Sequence, residues 1–310
     1  MRLLIFLLVL NCAGSAAAQP FEFRQELGAL TLYYGEQPCM AYQTGTLAYN
    51  DKYPRSNYLH PVYGLSGAVI TEDFPEDHRH HRGIFWTWHQ LYAGDLRIGD
   101  PWLCEGIRWT VEVKETKVRR KKATLKAVVY WLAGPDAPMG VPDTLVQEEV
   151  HLHIRQKSKD VRILDFDIRL TAMAPDIRIG GSEDKKGYGG FSIRLNTTNP
   201  LTFSNAQGEI TPQSTAVKAG GWVRANGNFN ALLPQQTAVV MMCQPEQLPQ
   251  FQGWILRQKN SMQNPAFPGA TAIKLSQRKP LRFQNRLLLH RGAMKNQKVE
   301  RLYRQFLRKR

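Results

Sequence analysis

Apolar and polar positions alternate with a period of two along most of this chain. In EEVHLHIRQ, Val150, Leu152 and Ile154 fall on one side and Glu149, His151, His153 and Arg155 on the other. That is the pattern of a strand buried on one face. VRILDFDIRL repeats it, with Ile163, Phe166, Ile168 and Leu170 as the apolar set and Asp165, Asp167 and Arg169 opposite. FSIRLNT and NRLLLHRG are expected as further strands, separated by turn-forming clusters such as AGPDAPMG, AGGWVRANGN and QNPAFPGA. Only the last stretch changes period. In NQKVERLYRQFLRKR, Val299, Leu302, Tyr303, Phe306 and Leu307 recur at helical spacing, with cations at the carboxyl end where the helix dipole favours them. The pattern therefore predicts an all-β protein, a large antiparallel β-sandwich with a short C-terminal helix. No repeat or composition break divides residues 19–310, which are expected to form a single domain.

Residues 1–18 interrupt this pattern in a different way. A basic start at Arg2, an apolar run from Leu3 to Leu10 and the small-residue ending Ala16-Ala17-Ala18 read as a secretory signal peptide. Export to the periplasm or the medium is expected, with no transmembrane segment, since no later stretch reaches the roughly 20 apolar residues one needs. Cys39, Cys104 and Cys243 form no metal or disulfide motif and read as buried small apolar residues. The 41 Lys and Arg against 26 Asp and Glu give a formal charge of +15, which makes anionic partners compatible with the chain. The densest run, KVRRKK at 117–122, lies between two alternating segments and reads as a solvated hairpin tip. Nucleic acid is not an expected partner, because the leader directs export and no zinc-finger, RNP or helix-turn-helix pattern is present.

Candidate chemistry concentrates in EDFPEDHRHHRGIFWTWHQ, residues 72–90, which holds four of the eight histidines and two of the seven tryptophans. Run as a strand, it would place His78 and His80 on one face and His81 on the other, whereas a turn would relax that limit. Two chemistries use these residues. In one, His78 and His80 hold a divalent metal with Asp77 and His89 nearby, and His151 or His153 supplies a third ligand. In the other, no cofactor is needed. His80 and His81 move protons, Trp86 and Trp88 offer flat apolar platforms to a sugar ring, and Arg82, His78 and His89 hold polar groups. The plainer alternative makes Ile84, Trp86 and Trp88 a core face and the histidines its polar approach.

Other blocks extend the saccharide reading. SEDKKGYGGFSIRL brings Glu183 as an acid or base, Lys186 as a cation and Tyr188 as a phenol beside flexible glycines. SMQNPAFPG offers Gln263 and Asn264 as hydroxyl partners, and His290 with Arg291 stands at an expected strand end. His60 is expected to be structural.

NYLHPVYGLSGAVITEDFPEDHRHHRGIFWTW, followed by DKKGYGGFSIRL, SMQNPAFPG and LLLHRG, resembles a family of exported bacterial proteins labelled methane oxygenase PmoA. The resemblance implies a galactose-mutarotase-like β-supersandwich, a fold used mostly by carbohydrate-active proteins. It transfers no catalytic residues. The labelled activity would require several transmembrane helices, which the chain lacks. The function expected is an exported carbohydrate-active enzyme, an epimerase, lyase or hydrolase using His, Glu and Tyr as acids and bases. Its ligand is a saccharide or another small polar molecule. P-loop, Rossmann and GxSxG motifs are absent. The alternatives are a glycan-binding module without turnover and a metal-dependent oxidoreductase, as the label suggests.

Overall fold

The computed structural model describes residues 21–229, 237–259 and 262–308, so the proposed leader at 1–18 lies outside the described residues. Two large antiparallel sheets carry most of the chain. One has nine strands in the spatial order Ile107–Arg119, Lys122–Ala133, Thr144–Ser158, Val161–Ala172, Leu281–Arg291, Thr237–Cys243, Trp222–Gly227, Thr202–Asn205 and Gly208–Ile210. The other has eight: Phe21–Glu26, Ala29–Tyr34, Gln37–Gln43, Tyr58–Val62, Ile84–Trp88, Gly189–Arg194, Met262–Ala266 and Gly253–Ile255. A four-stranded sheet flanks them, ordered Ile273–Lys274, Ile177–Gly180, Gln90–Ala93 and Leu96–Gly99. The expected large antiparallel sandwich with one short C-terminal helix, Asn296–Leu307, is the architecture observed. No helix among the described residues is long and apolar enough to cross a membrane.

The alternation read from sequence decides which side chains meet. Val150, Leu152 and Ile154 are buried on the inner face of Thr144–Ser158, and Leu164, Phe166, Ile168 and Leu170 do the same from Val161–Ala172. Phe166 meets Trp86 of the opposite sheet at a ring-centroid distance of 6.2 Å. Ile163 corrects the sequence expectation. With side chains alternating, it shares the outer face with Asp165, and it is buried there because the C-terminal helix covers it with Val299, Leu302 and Phe306. Under the helix, Asp165 accepts from Arg286 and from Arg155, the latter at 2.7 Å, and Arg286 Nη1 also donates to Leu302 O at 2.8 Å. The basic run falls at the tip joining Ile107–Arg119 to Lys122–Ala133, as expected. All three cysteines described are free and buried.

One polar residue sits in the apolar centre. Glu148 is fully buried on the inner face of Thr144–Ser158. Its carboxylate accepts from Trp86 Nε1 across the sandwich, from Trp131 Nε1 at 2.8 Å and from Asn57 Nδ2 at 2.9 Å. Asn57 in turn accepts from the Tyr42 hydroxyl at 2.8 Å. Burial pushes the Glu148 pKa up, while these three donors and Arg55 pull it back. Three N–H donors converge on its two oxygens, a set that an ionised carboxylate, all acceptor, suits best. Glu148→Gln turns one acceptor oxygen into an NH2 group facing a donor. It should destabilise the protein by about 2 kcal/mol or more in urea unfolding, the scale of a buried donor left unmade. Unchanged stability would show that the core does not depend on this carboxylate.

Candidate active site

The histidine stretch lies between Tyr58–Val62 and Ile84–Trp88, and it turns rather than extends. His78 N donates to Pro75 O at 3.2 Å and His81 N donates to His78 O at 2.8 Å. The turn gathers all three imidazoles. His78 and His81 stack with centroids 4.6 Å apart and planes 3° apart, and His80 meets both edge-on. Gly83 lets the chain leave this turn, since a Cβ there would lie 2.2 Å from Leu59 O. His89 joins the cluster from the point where the chain passes from Ile84–Trp88 into Gln90–Ala93 of the flanking sheet.

These four histidines line a cleft of about 1080 Å³ together with Trp102, Tyr188, Lys186 and Arg257. Ligand sites commonly run from about 300 to 1,000 Å³, so the cleft is large enough for a small polar ligand. Their partners divide the imidazoles into different kinds. His78 Nδ1 donates to Asp77 Oδ2 at 2.7 Å, and His89 Nδ1 donates to Asp100 Oδ2 at 2.8 Å. In each pair the carboxylate holds the Nδ1 proton and leaves Nε2 pointing away from it. Asp100 is itself held by the backbone N–H groups of Trp102 and Leu103, and His89 stacks on Trp102 at 5.0 Å. Burial alone would raise Asp77, yet hydrogen bonds from Arg194 and His78 hold its carboxyl below the usual range.

His81 is a different case. Arg194, which is buried, donates to His81 Nδ1 at 3.2 Å while binding Asp77 Oδ1 at 2.7 Å and Glu72 Oε2 at 2.9 Å. The proton of His81 is therefore on Nε2. Burial, then the neighbouring His80, His78 and Arg194, push its pKa far below the ordinary value, so it stays neutral and donates. His80 is lowered to about 4 by burial and by His78 and His89, and is also neutral at physiological pH.

Several expected site residues do not reach the cleft. Trp86 and Trp88 are core, 1% and 0% exposed, and their indole N–H groups donate to Glu148 and to Phe267 O. Inward-facing aromatic residues at period two on a central strand pack against the opposite sheet, so no sugar can lie on them. Arg82 is fully buried and closes the base of the loop. Its Nε donates to Asp73 Oδ1 at 2.6 Å, and its other nitrogens donate to Tyr53 O and the Tyr58 hydroxyl. Glu183 faces solvent, paired with Arg97 at 2.8 Å. Gln263 and Asn264 are both 0% exposed. Gln263 brackets the backbone of Arg257 through N–H and C=O, and Asn264 ties Gly189, Phe191 and Ser192 together beside Tyr188. His290 and Arg291 belong to the nine-stranded sheet, where His290 meets Gly292 O and Arg291 pairs with Asp160. His60 Nδ1 meets Thr71 Oγ1 at 3.0 Å, consistent with its structural assignment.

The structure thus brings together His78, His80, His81, His89, Lys186 and Tyr188 of the expected set. It adds Asp77, Asp100, Trp102, Arg194 and Arg257. Of these, Asp77 was visible only as a neighbour in sequence. Asp100 and Trp102 occupy GDPWLCEG, where a turn hides their role, and Arg194 alternates unremarkably along a strand. His151 and His153 lie on the outer face of the nine-stranded sheet and do not line the cleft. Among the described residues no group of three or more His, Cys, Asp or Glu side chains is arranged to hold a metal. The His78 and His81 rings lie parallel, and Arg194 occupies His81 Nδ1.

The chain belongs to a family of unknown function, DUF6807, whose profile matches residues 29–304. That description names no activity, and the methane-oxygenase label gains no support from it. No curated protein matches the chain. Among solved structures it is similar to "a putative mutarotase (YeaD) from Salmonella typhimurium", with 5% identity, 88% of this chain and 94% of that chain covered, and a TM-score of 0.35. A likeness that distant supports no conclusion about function.

Two outcomes follow from the site's chemistry. The folded pKa of His80 lies below its ordinary 6.5, so the unfolded chain binds more protons between that value and about 4. Stability should therefore fall as pH drops through this window, His81 adding to the loss. Melting temperatures from pH 7 to 4 should flatten in the His80→Asn variant, and an unchanged slope would contradict the assignment. Prolonged dialysis against a chelator should leave the melting temperature and any ligand affinity unchanged, whereas a loss reversed by one divalent ion per chain would establish a metal centre.

Proposed function

We propose that this chain is an exported enzyme that acts on a saccharide by histidine-centred acid–base chemistry. The observation that carries it is the pair of histidine–carboxylate dyads, His78–Asp77 and His89–Asp100, opening on one cleft. An imidazole whose Nδ1–H is held by a carboxylate takes a proton at Nε2, and the resulting imidazolium is stabilised by the same carboxylate. Two such groups on one cleft supply a base and an acid for proton transfer at a sugar carbon, hydroxyl or glycosidic oxygen. Epimerisation, elimination and hydrolysis all require that pair. Neutral His81, its N–H fixed by Arg194, and the Tyr188 hydroxyl are placed to hydrogen-bond sugar oxygens. The two facing antiparallel sheets agree with the galactose-mutarotase-like supersandwich that the sequence blocks imply, and the segment 1–18 supports export.

The reading makes the dyads, rather than His80 and His81, the proton carriers. A panel of glycosides, oxidised glycosides and uronides would be screened for isomerisation, elimination or release of reducing ends. His78→Asn and His89→Asn should each lower kcat by about 100-fold or more, the scale of removing a general acid or base, with melting temperature little changed. Tyr188→Phe should mainly raise KM, because its hydroxyl is placed to hold a sugar oxygen without moving protons. An unsubstituted protein that binds a glycan tightly and turns over no member of the panel would be a binding module.

A further inference from the structure

Charge in the cleft is unevenly distributed. Lys186, Arg257 and Lys259 line it, against Asp184 as its only carboxylate among the described lining residues. Asp184 is already occupied, accepting from the Ser182 hydroxyl at 2.7 Å and from Lys186 N at 3.0 Å, with Lys186 Nζ at 3.5 Å. Of the dyad carboxylates, Asp77 is paired with Arg194, and Asp100, oriented by backbone N–H groups, keeps its charge behind His89 and outside the cleft lining. No carboxylate among the described residues pairs with Arg257 or Lys259.

Arg257 is built as a fixed cation. Its guanidinium donates to Gln213 O at 2.7 Å, Ser214 O at 2.9 Å and Leu256 O at 3.0 Å, and lies 5.6 Å from the centre of the Tyr188 ring. Buried Gln263 clamps the Arg257 backbone from both sides, at 3.0 and 2.9 Å. Carbonyl oxygens orient the group without neutralising it. A guanidinium has five N–H donors, so about two remain for a ligand, in a planar geometry that matches an oxyanion.

We infer that the substrate is a uronate-containing saccharide whose carboxylate is held by Arg257, with Lys259 and Lys186 at the rim, while its ring faces the histidine dyads. This rests on the acid–base reading of the same cleft and names its substrate class. A sulfated sugar would share the oxyanion chemistry, and the test separates the two.

Calorimetric titration would use oligosaccharides of polygalacturonate, alginate and glucuronan, the same oligosaccharides with carboxyl groups reduced to alcohols, and sulfated galactan oligosaccharides. At least one uronate series should bind, and its reduced counterpart should bind at least about 10-fold more weakly, the scale of losing one charge-assisted hydrogen-bonded pair. Added salt should weaken the uronate and spare the reduced sugar. Arg257→Gln should abolish the preference. Lys259→Gln, at an exposed position, should weaken uronate binding about 3-fold without unfolding and keeps the test valid if the loop needs Arg257. Equal binding of the reduced series, preference for the sulfated series, or no uronate binding would overturn the inference. Turnover of a neutral glycan that depends on His78 and His89 would also overturn it and leave the acid–base reading intact. Uronate binding through Arg257 with no turnover would uphold the substrate class and sink the acid–base reading.

Discussion

A single ionised carboxylate in a dry interior constrains the rest of this structure. Glu148 is acceptable between the sheets only because Trp86, Trp131 and Asn57 aim N–H donors at it. Two of these partners belong to different sheets, so satisfying one charge fixes how the sheets face each other. Trp86 cannot rotate toward solvent without stranding that charge. The strand Ile84–Trp88 that carries it is thereby locked, and this strand begins directly after the histidine turn and ends beside His89. The register of the cleft is set from the core outward.

Arginines carry that order into the turn. Arg82 fastens the loop to the hairpin formed by Leu47–Tyr49 and Lys52–Arg55 by donating to Tyr53 O, and it joins Asp73 to Tyr58. Arg194, from the neighbouring strand Gly189–Arg194, reaches Glu72, Asp77 and His81 with one guanidinium. Its two contacts nearest the cleft have opposite effects on the imidazoles. Through Asp77 it anchors the acceptor that keeps the His78 proton on Nδ1, and by direct donation it keeps the His81 proton on Nε2. Neighbouring histidines that look interchangeable in sequence thus become one base and one donor. A lysine could not do this, because the arrangement needs several donors in a fixed plane.

Legibility in the sequence followed the range of the interactions. The alternating strands, terminal helix and basic hairpin tip were readable because each depends on residues a few positions apart. Ile163 was misplaced by one face, since only the docked helix explains an apolar residue beside Asp165. The histidine stretch stands out in the sequence as the candidate site, but the tautomers within it do not, because they depend on Arg194, more than a hundred residues downstream. Trp86 and Trp88 attracted a sugar-binding role by composition, whereas their burial is settled by Phe166, Phe191, Trp131 and Phe283 from distant strands. Gln263 and Asn264 read in the sequence as hydroxyl partners in a Pro-rich stretch. They are polar because the backbones at Arg257 and Gly189 have hydrogen bonds to complete.

The formal charge of +15 also takes on a different meaning once it is located. Part of it is internal: Arg82, Arg194 and Arg286 are buried and each is paired with carboxylates. Those charges build structure and project little field. At the cleft the arrangement reverses, because Arg257 is oriented by carbonyl dipoles and Lys259 is exposed, so their charge is not cancelled on site. Global charge alone would have suggested any polyanion. What narrows it is that Arg257 and Lys259 share one concave surface with His80 and His81, which burial keeps neutral, so an anionic group there would be held by the guanidinium and the ammonium rather than by those two imidazoles.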